Sequence, residues 1–305
     1  MHISEQSPAS RNKASFLSPA KQRNEIWRIV AVLVLGFVVL QLITAVIFVV
    51  AGQFMSSDEF LKMTTELKFT TPKMVITVLT TFGGWIVAII IMLFLFHRRS
   101  VFTLLGGNAK SFLRNFVLGI LAVIVFFVGS GLLEPSDLLP EANLSYDIWL
   151  SWLPIAIPLI LMQVSAEELV FRGYIQQQLA VRFDHFAVWM ILPSLVFALG
   201  HYQPATFGSN AWLVVVQTFL IGVLAADMTM RTGNLGAAIG VHFANNFMGM
   251  CIVATKGYMS GLSLYVSPID LGNVEQMRPL LMSQVGFTAF IVLIYFLAAQ
   301  RWYRY

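Results

Sequence analysis

The chain has 305 residues, of which 58% are hydrophobic and only 11% charged, with a mean hydropathy of +0.78. An ordinary soluble domain carries roughly 25% charged residues, so this much apolar surface calls for lipid as its solvent and excludes a water-soluble fold. The formal charge of +4 is small and typical of basic loops beside a membrane, so it gives no reason to expect nucleic acid as a partner.

Residues 1–25 are polar and Ser-rich, with Arg11, Lys13, Lys21 and Arg23 scattered through them. They read as a disordered cytoplasmic tail rather than a secretory signal, because the apolar run that follows is too long and lacks a small-residue cleavage site. A spanning helix needs about 20 apolar residues. Such runs lie at 29–52, 74–96, 116–133, 149–171, 186–199, 211–226, 235–254 and 280–299. The expected fold is therefore all-α, a polytopic bundle of about eight transmembrane helices. Residues 26–148 would supply about three of them, 149–256 a catalytic core, and 257–305 a loop and the last helix.

Loop charge predicts orientation. Arg98, Arg99, Lys110 and Arg114 crowd the second loop, whereas Glu134, Asp137, Glu141 and Asp147 occupy the third. With Arg301 and Arg304 at the C-terminus, the positive-inside rule places both termini in the cytoplasm. Trp149, Trp152, Trp189, Trp212 and Trp302 fall near span ends and read as interface anchors. Gly236 and Gly240 form a small-xxx-small pair that would let two helices approach closely. The single cysteine, Cys251, excludes an intramolecular disulfide and reads as a small core residue.

Ionisable groups inside a bilayer are costly and usually functional, which makes three segments informative. The fourth contains Glu167-Glu168, then Arg172-Gly173. Glu168 and Arg172, four apart on a helix, share a face and can pair. Glu167, about 100° round the helix, has no such partner and suits a general base. The fifth segment ends at His201, and the seventh carries His242 with Asn246 four residues on and Asn245 as a poorer partner. Three helices thus each bring one polar stripe into an apolar bundle.

Peptide-bond hydrolysis fits this set. Glu167 with His201 would activate water, His242 and Asn246 would stabilise the oxyanion, and Glu168 with Arg172 would hold the arrangement. Ser165 has no histidine placed to activate it. A zinc site of His201, His242 and Glu167 with water in the fourth position is the alternative to a metal-free site, although H-E-x-x-H is absent. Singly, each group also has a structural reading: a buried ion pair, an interfacial histidine, interhelical hydrogen bonding.

Together the motifs resemble those of the CPBP family (CAAX proteases and bacteriocin-processing enzymes, or Abi family), which includes the type II CAAX prenyl endopeptidases. The family pattern E-E-x-x-x-R, F-x-x-x-H and H-x-x-x-N/D is met by Glu167-Glu168-x-x-x-Arg172, Phe197-x-x-x-His201 and His242-x-x-x-Asn246. Gly173 and the Gly233-Asn234-Leu235 run also match, and the likeness covers 149–254. It implies an intramembrane endopeptidase, glutamate-dependent or metal-dependent, with the catalytic roles falling on Glu167, His201, His242 and Asn246. The expected substrate is a membrane-associated peptide or protein, and the expected location a bacterial inner membrane. Two rival readings are a non-catalytic member of this fold that binds a partner or lipid, and a proton-coupled transporter. The second lacks an inverted repeat.

The spacing carries one structural demand. If the fourth helix ended at Arg172, Glu167 would sit only about 8 Å from that end, whereas His201 lies about 22 Å into the fifth segment. The fourth helix is therefore expected to run on through 176–179.

Overall fold

The computed structural model describes residues 7–131, 139–270 and 273–302. Residues 1–6, Glu134, Asp137 and Arg304 lie outside the described residues, as do the side chains of Arg301 and Trp302.

The chain opens with a short helix, α1 (Pro8–Leu17), begun by Pro8 and capped by Ser7, whose hydroxyl accepts from the Ser10 amide. The expectation of a disordered tail fails here. Phe16, Leu17 and Ala20 are buried, and the Phe16 carbonyl accepts from the Gln177 side chain. Polar composition hid a helix that docks through two apolar residues, Phe16 and Leu17.

Two long helices follow, α2 (Ile26–Ala51) and α4 (Pro72–Met92), joined through the short α3 (Ser57–Thr65), which starts with a Ser56/Glu59 capping box. A π turn, Leu93–His97, extends α4 until Arg98 takes a left-handed conformation and ends it. Next come α5 (Phe102–Leu105) and the long α6 (Ala109–Gly131). After strand β1 (Glu141–Ala142), α7 (Tyr146–Glu168) passes through a π-helical stretch, Leu169–Ile175, into α8 (Gln176–Ala180). These make one rod, Tyr146–Ala180, of 35 residues. The expected continuation past Arg172 is present. Its polar end is shielded: Gln176, Gln177 and Gln178 are all buried, with Gln176 donating to the Ala226 carbonyl and Gln177 accepting from Arg99.

A π turn (Ala187–Ile191) leads into α9 (Leu192–Leu199), followed by α10 (Pro204–Phe207) and α11 (Ala211–Thr232). Then α12 (Gly236–Phe247) ends in a π turn, Met248–Ile252, and α13 (Val274–Trp302) closes the fold. Between them lie β2 (Val253–Lys256) and β3 (Tyr265–Asp270); β3 pairs with β1 antiparallel and with β2 parallel. Residues 253 and 254 were expected at the end of a helix and instead begin this small sheet.

Among the described residues six helices are long and apolar enough to cross a membrane. The fifth and seventh expected segments fold as shorter helices, Ala187–Leu199 and Gly236–Phe247. Thirteen residues rise only about 20 Å, against roughly 30 Å of hydrocarbon. The protein is a polytopic, all-α membrane protein whose eight apolar segments comprise six long helices and these two. Its outer surface agrees: on α2, Leu33, Val34, Phe37, Leu42, Val46 and Val49 are all exposed.

The glycine pair works as expected. A Cβ on Gly236 would meet the Phe112 carbonyl at 2.3 Å, and one on Gly240 the Phe116 carbonyl at 2.2 Å. Only glycine lets α12 lie against the backbone of α6. Two of the tryptophans are protein contacts rather than simple anchors. Trp149 donates to the Cys251 carbonyl at 2.7 Å, tying α7 to the end of α12, and Trp189 is buried beside Lys13. Cys251 is fully buried, as a small core residue would be.

Candidate active site

The last turn of α7 sets the site. Gln163 and Glu167 are one turn apart, so the Gln163 amide reaches forward and donates to Glu167 Oε1 at 3.0 Å. Glu167 was expected to be without a partner; its partner is an amide, one turn upstream. Its other oxygen, Oε2, is buried and accepts no hydrogen bond from the described residues.

Glu168 faces a different direction. Arg172 donates to its Oε1 at 2.9 Å, and both side chains are 2% exposed. The backbone between them is already π-helical from Leu169, a distortion common at functional sites. Arg172 lies over the Phe197 ring of α9 at 4.4 Å. A Cβ at Gly222 of α11 would stand 3.2 Å from its Nη2, so that helix leaves just enough room for the guanidinium.

His242 projects from α12 between the two glutamates. Its Nδ1 lies 2.8 Å from Glu168 Oε1 and its Nε2 3.4 Å from Glu167 Oε2. A carboxylate bound to Arg172 only accepts, so Nδ1 carries a hydrogen and donates it to Glu168. The contact from Nε2 to Glu167 is longer than a normal hydrogen bond. One turn on, Asn246 donates to Gln163 Oε1 at 2.8 Å and accepts from Asn245 at 3.3 Å. Glu167, Glu168, Arg172, His242 and Asn246 therefore form one connected cluster, with Gln163 as the member that motif spacing missed.

His201 stands slightly apart. Its Nδ1 is 3.0 Å from the Phe197 carbonyl, which can only accept, so the hydrogen sits on Nδ1 and Nε2 is left as an acceptor. That is the tautomer a general base needs. No hydrogen bond or ion pair joins His201 to Glu167, His242 or Asn246 among the described residues. It approaches the cluster through Phe197, whose ring centroid is 4.9 Å from that of His201 and 6.1 Å from that of His242. Depth no longer separates them: Glu167 lies about 20 Å along its helix from Ala180, and His201 about 21 Å from Ala187.

The same geometry tests the zinc alternative. Among the described residues no group of three His, Cys, Asp or Glu side chains is arranged to hold a metal ion. His242 Nδ1 is engaged by Glu168, and His201 does not meet the other two donors. As placed, His201, His242 and Glu167 do not fit zinc.

Residues 149–248 match the family model described as Type II CAAX prenyl endopeptidase Rce1-like. The chain carries an Rce1-like domain of the CPBP family. This Rce1-like domain contains every member of the cluster, from Gln163 to Asn246. A curated relative, the uncharacterized protein YyaK of Bacillus subtilis (strain 168), is 26% identical over 164 residues, which cover 52% of this chain and 54% of YyaK. The chain thus spans about half the length of the curated relative it matches. No solved structure matches.

Proposed function

We propose that the Rce1-like domain hydrolyses a peptide bond of a membrane-associated protein or peptide, with water as the attacking group. One observation carries this reading: a carboxylate with a free buried oxygen, an imidazole 3.4 Å from that oxygen and a carboxamide bridged to the same carboxylate by Gln163 meet inside a membrane-spanning bundle.

Glu167 Oε2 and His201 Nε2 both have unused acceptor capacity. They would take a proton from water as its oxygen attacks the scissile carbonyl carbon. The oxyanion then needs donors. Asn246 has a second amide hydrogen beyond the one given to Gln163, and His242 presents Nε2. Because Nδ1–H goes to Glu168, donation from Nε2 calls for the imidazolium, which together with Arg172 sets two positive charges against the two carboxylates. Collapse of the tetrahedral species breaks the C–N bond. The proton taken from water passes to the departing amine, leaving a carboxylic acid and an amine. Glu168 and Arg172 keep His242 aimed. An apolar cavity of about 190 Å³, lined among others by Trp85, Met92, Val170 and Phe171, adjoins the π-helical stretch and suits the apolar part of a membrane-borne substrate. In the cell we place the protein in a bacterial inner membrane with both termini cytoplasmic, following the basic second loop.

The test uses pure protein in vesicles with a set of membrane-tethered reporter peptides, the fragments read by mass spectrometry. Cleavage at one bond, unaffected by a strong chelator and by metal analysis showing no stoichiometric zinc, is the expected result. Loss of cleavage on chelation, restored by zinc, would assign a metal-dependent reaction instead. An intact, folded protein that cleaves none of them would leave the non-catalytic, partner-binding reading standing.

A further inference from the structure

A buried side chain outside the motif residues touches both Glu167 and Asn246. Gln163 is 6% exposed, on α7, and bridges Glu167 on its own helix and Asn246 on α12. We infer that Gln163 is a positioning residue, holding the base and the oxyanion donor in register; this rests on the peptidase reading above.

The chemistry of the three groups fixes the direction of every bond in the bridge. A carboxylate oxygen is acceptor only, so the Gln163 group facing Glu167 Oε1 must be its NH₂. The opposite end of the same amide is then its carbonyl oxygen, which accepts from Asn246 Nδ2. Asn246 is turned so that its NH₂ faces inward, and its own carbonyl is taken by Asn245. The chain Asn246 to Gln163 to Glu167 has only this polarity, and flipping any one amide would set like against like.

Two consequences follow for the reaction. Gln163 occupies Oε1 of Glu167 and leaves Oε2, the oxygen that faces His242, as the one free to accept the water proton. It also uses one hydrogen of Asn246 and thereby orients the other. Gln163 touches neither water nor substrate in this scheme; it acts through its two neighbours. Errors of about 1 Å in such groups can cost about 100-fold in rate.

The experiment substitutes Gln163→Met, which keeps the length and loses both hydrogen bonds, and Gln163→Asn, which keeps the amide but is too short to bridge. The expected result is a kcat lower by about 10- to 100-fold with KM within about two-fold, and non-additivity with Asn246→Ala. A readout independent of turnover is the carboxylate stretch of Glu167, isolated as the infrared difference between the wild type and Glu167→Gln. It should move in both Gln163 variants, because one oxygen has lost its donor. A band that stays put, or two variants that fail to fold, would overturn the inference, the latter making Gln163 a structural strut. A shifted band in a protein without peptidase activity would keep the bridge and discard the function.

Discussion

Glu167→Gln should lower cleavage of a tethered reporter by at least about 100-fold while folding and yield are unchanged. The substitution is nearly isosteric, so it keeps the volume that the last turn of α7 packs around. What it changes is one oxygen. Glu167 Oε1 is already used by Gln163, and Oε2 is buried without a donor. An amide at this position turns either its NH₂ toward Gln163 and clashes donor with donor, or its NH₂ toward the pocket and offers water a donor instead of a base. Both outcomes remove proton transfer. Turnover equal to the wild type would show that Glu167 is not the base.

The second large effect is on stability. Arg172→Leu should destabilise the protein by about 3–5 kcal/mol, the usual cost of stranding one member of a buried ion pair. Glu168 is 1% exposed, and its Oε2 has no donor among the described residues, so after the change His242 is left as its only support. The double replacement Glu168→Leu with Arg172→Leu should recover much of that loss, since apolar groups of similar size replace a buried pair at little cost. Thermal unfolding in detergent, compared across the two variants and the wild type, reads this directly. A single variant as stable as the wild type would mean that the pair is not an electrostatic unit.

The long spans were legible because lipid demands about 20 apolar residues in a row, and α2, α4, α6, α7, α11 and α13 obey that demand. The two short helices were legible only as apolar segments. As helices both are too short to fill a span, so hydropathy cannot set their ends, and the expected seventh span ran into β2. The α1 helix was invisible for a related reason. Its sequence is polar, and its order comes from a tertiary contact through Phe16 and Leu17.

In the site, helical spacing identified the Glu168–Arg172 pair and brought His242 and Asn246 onto one face. It did not show that His242 sits between both carboxylates, because the rotation of α12 against α7 is set by glycines packing on α6. Gln163 carried a signal that was open to reading: an amide about one turn before a buried glutamate in a largely apolar helix. His201 shows the remaining gap. Its depth follows from helix lengths, while the direction of its ring depends on a hydrogen bond to Phe197 that no spacing rule encodes.

The account stands on Glu167 and His201 serving one reaction although they are carried on different helices. Single-turnover rates for Glu167→Gln, His201→Ala and the double variant test this most directly, because groups that act as a unit are grossly non-additive. The double variant should be no slower than Glu167→Gln alone. Losses that multiply, or a His201→Ala protein as fast as the wild type, would contradict a shared site.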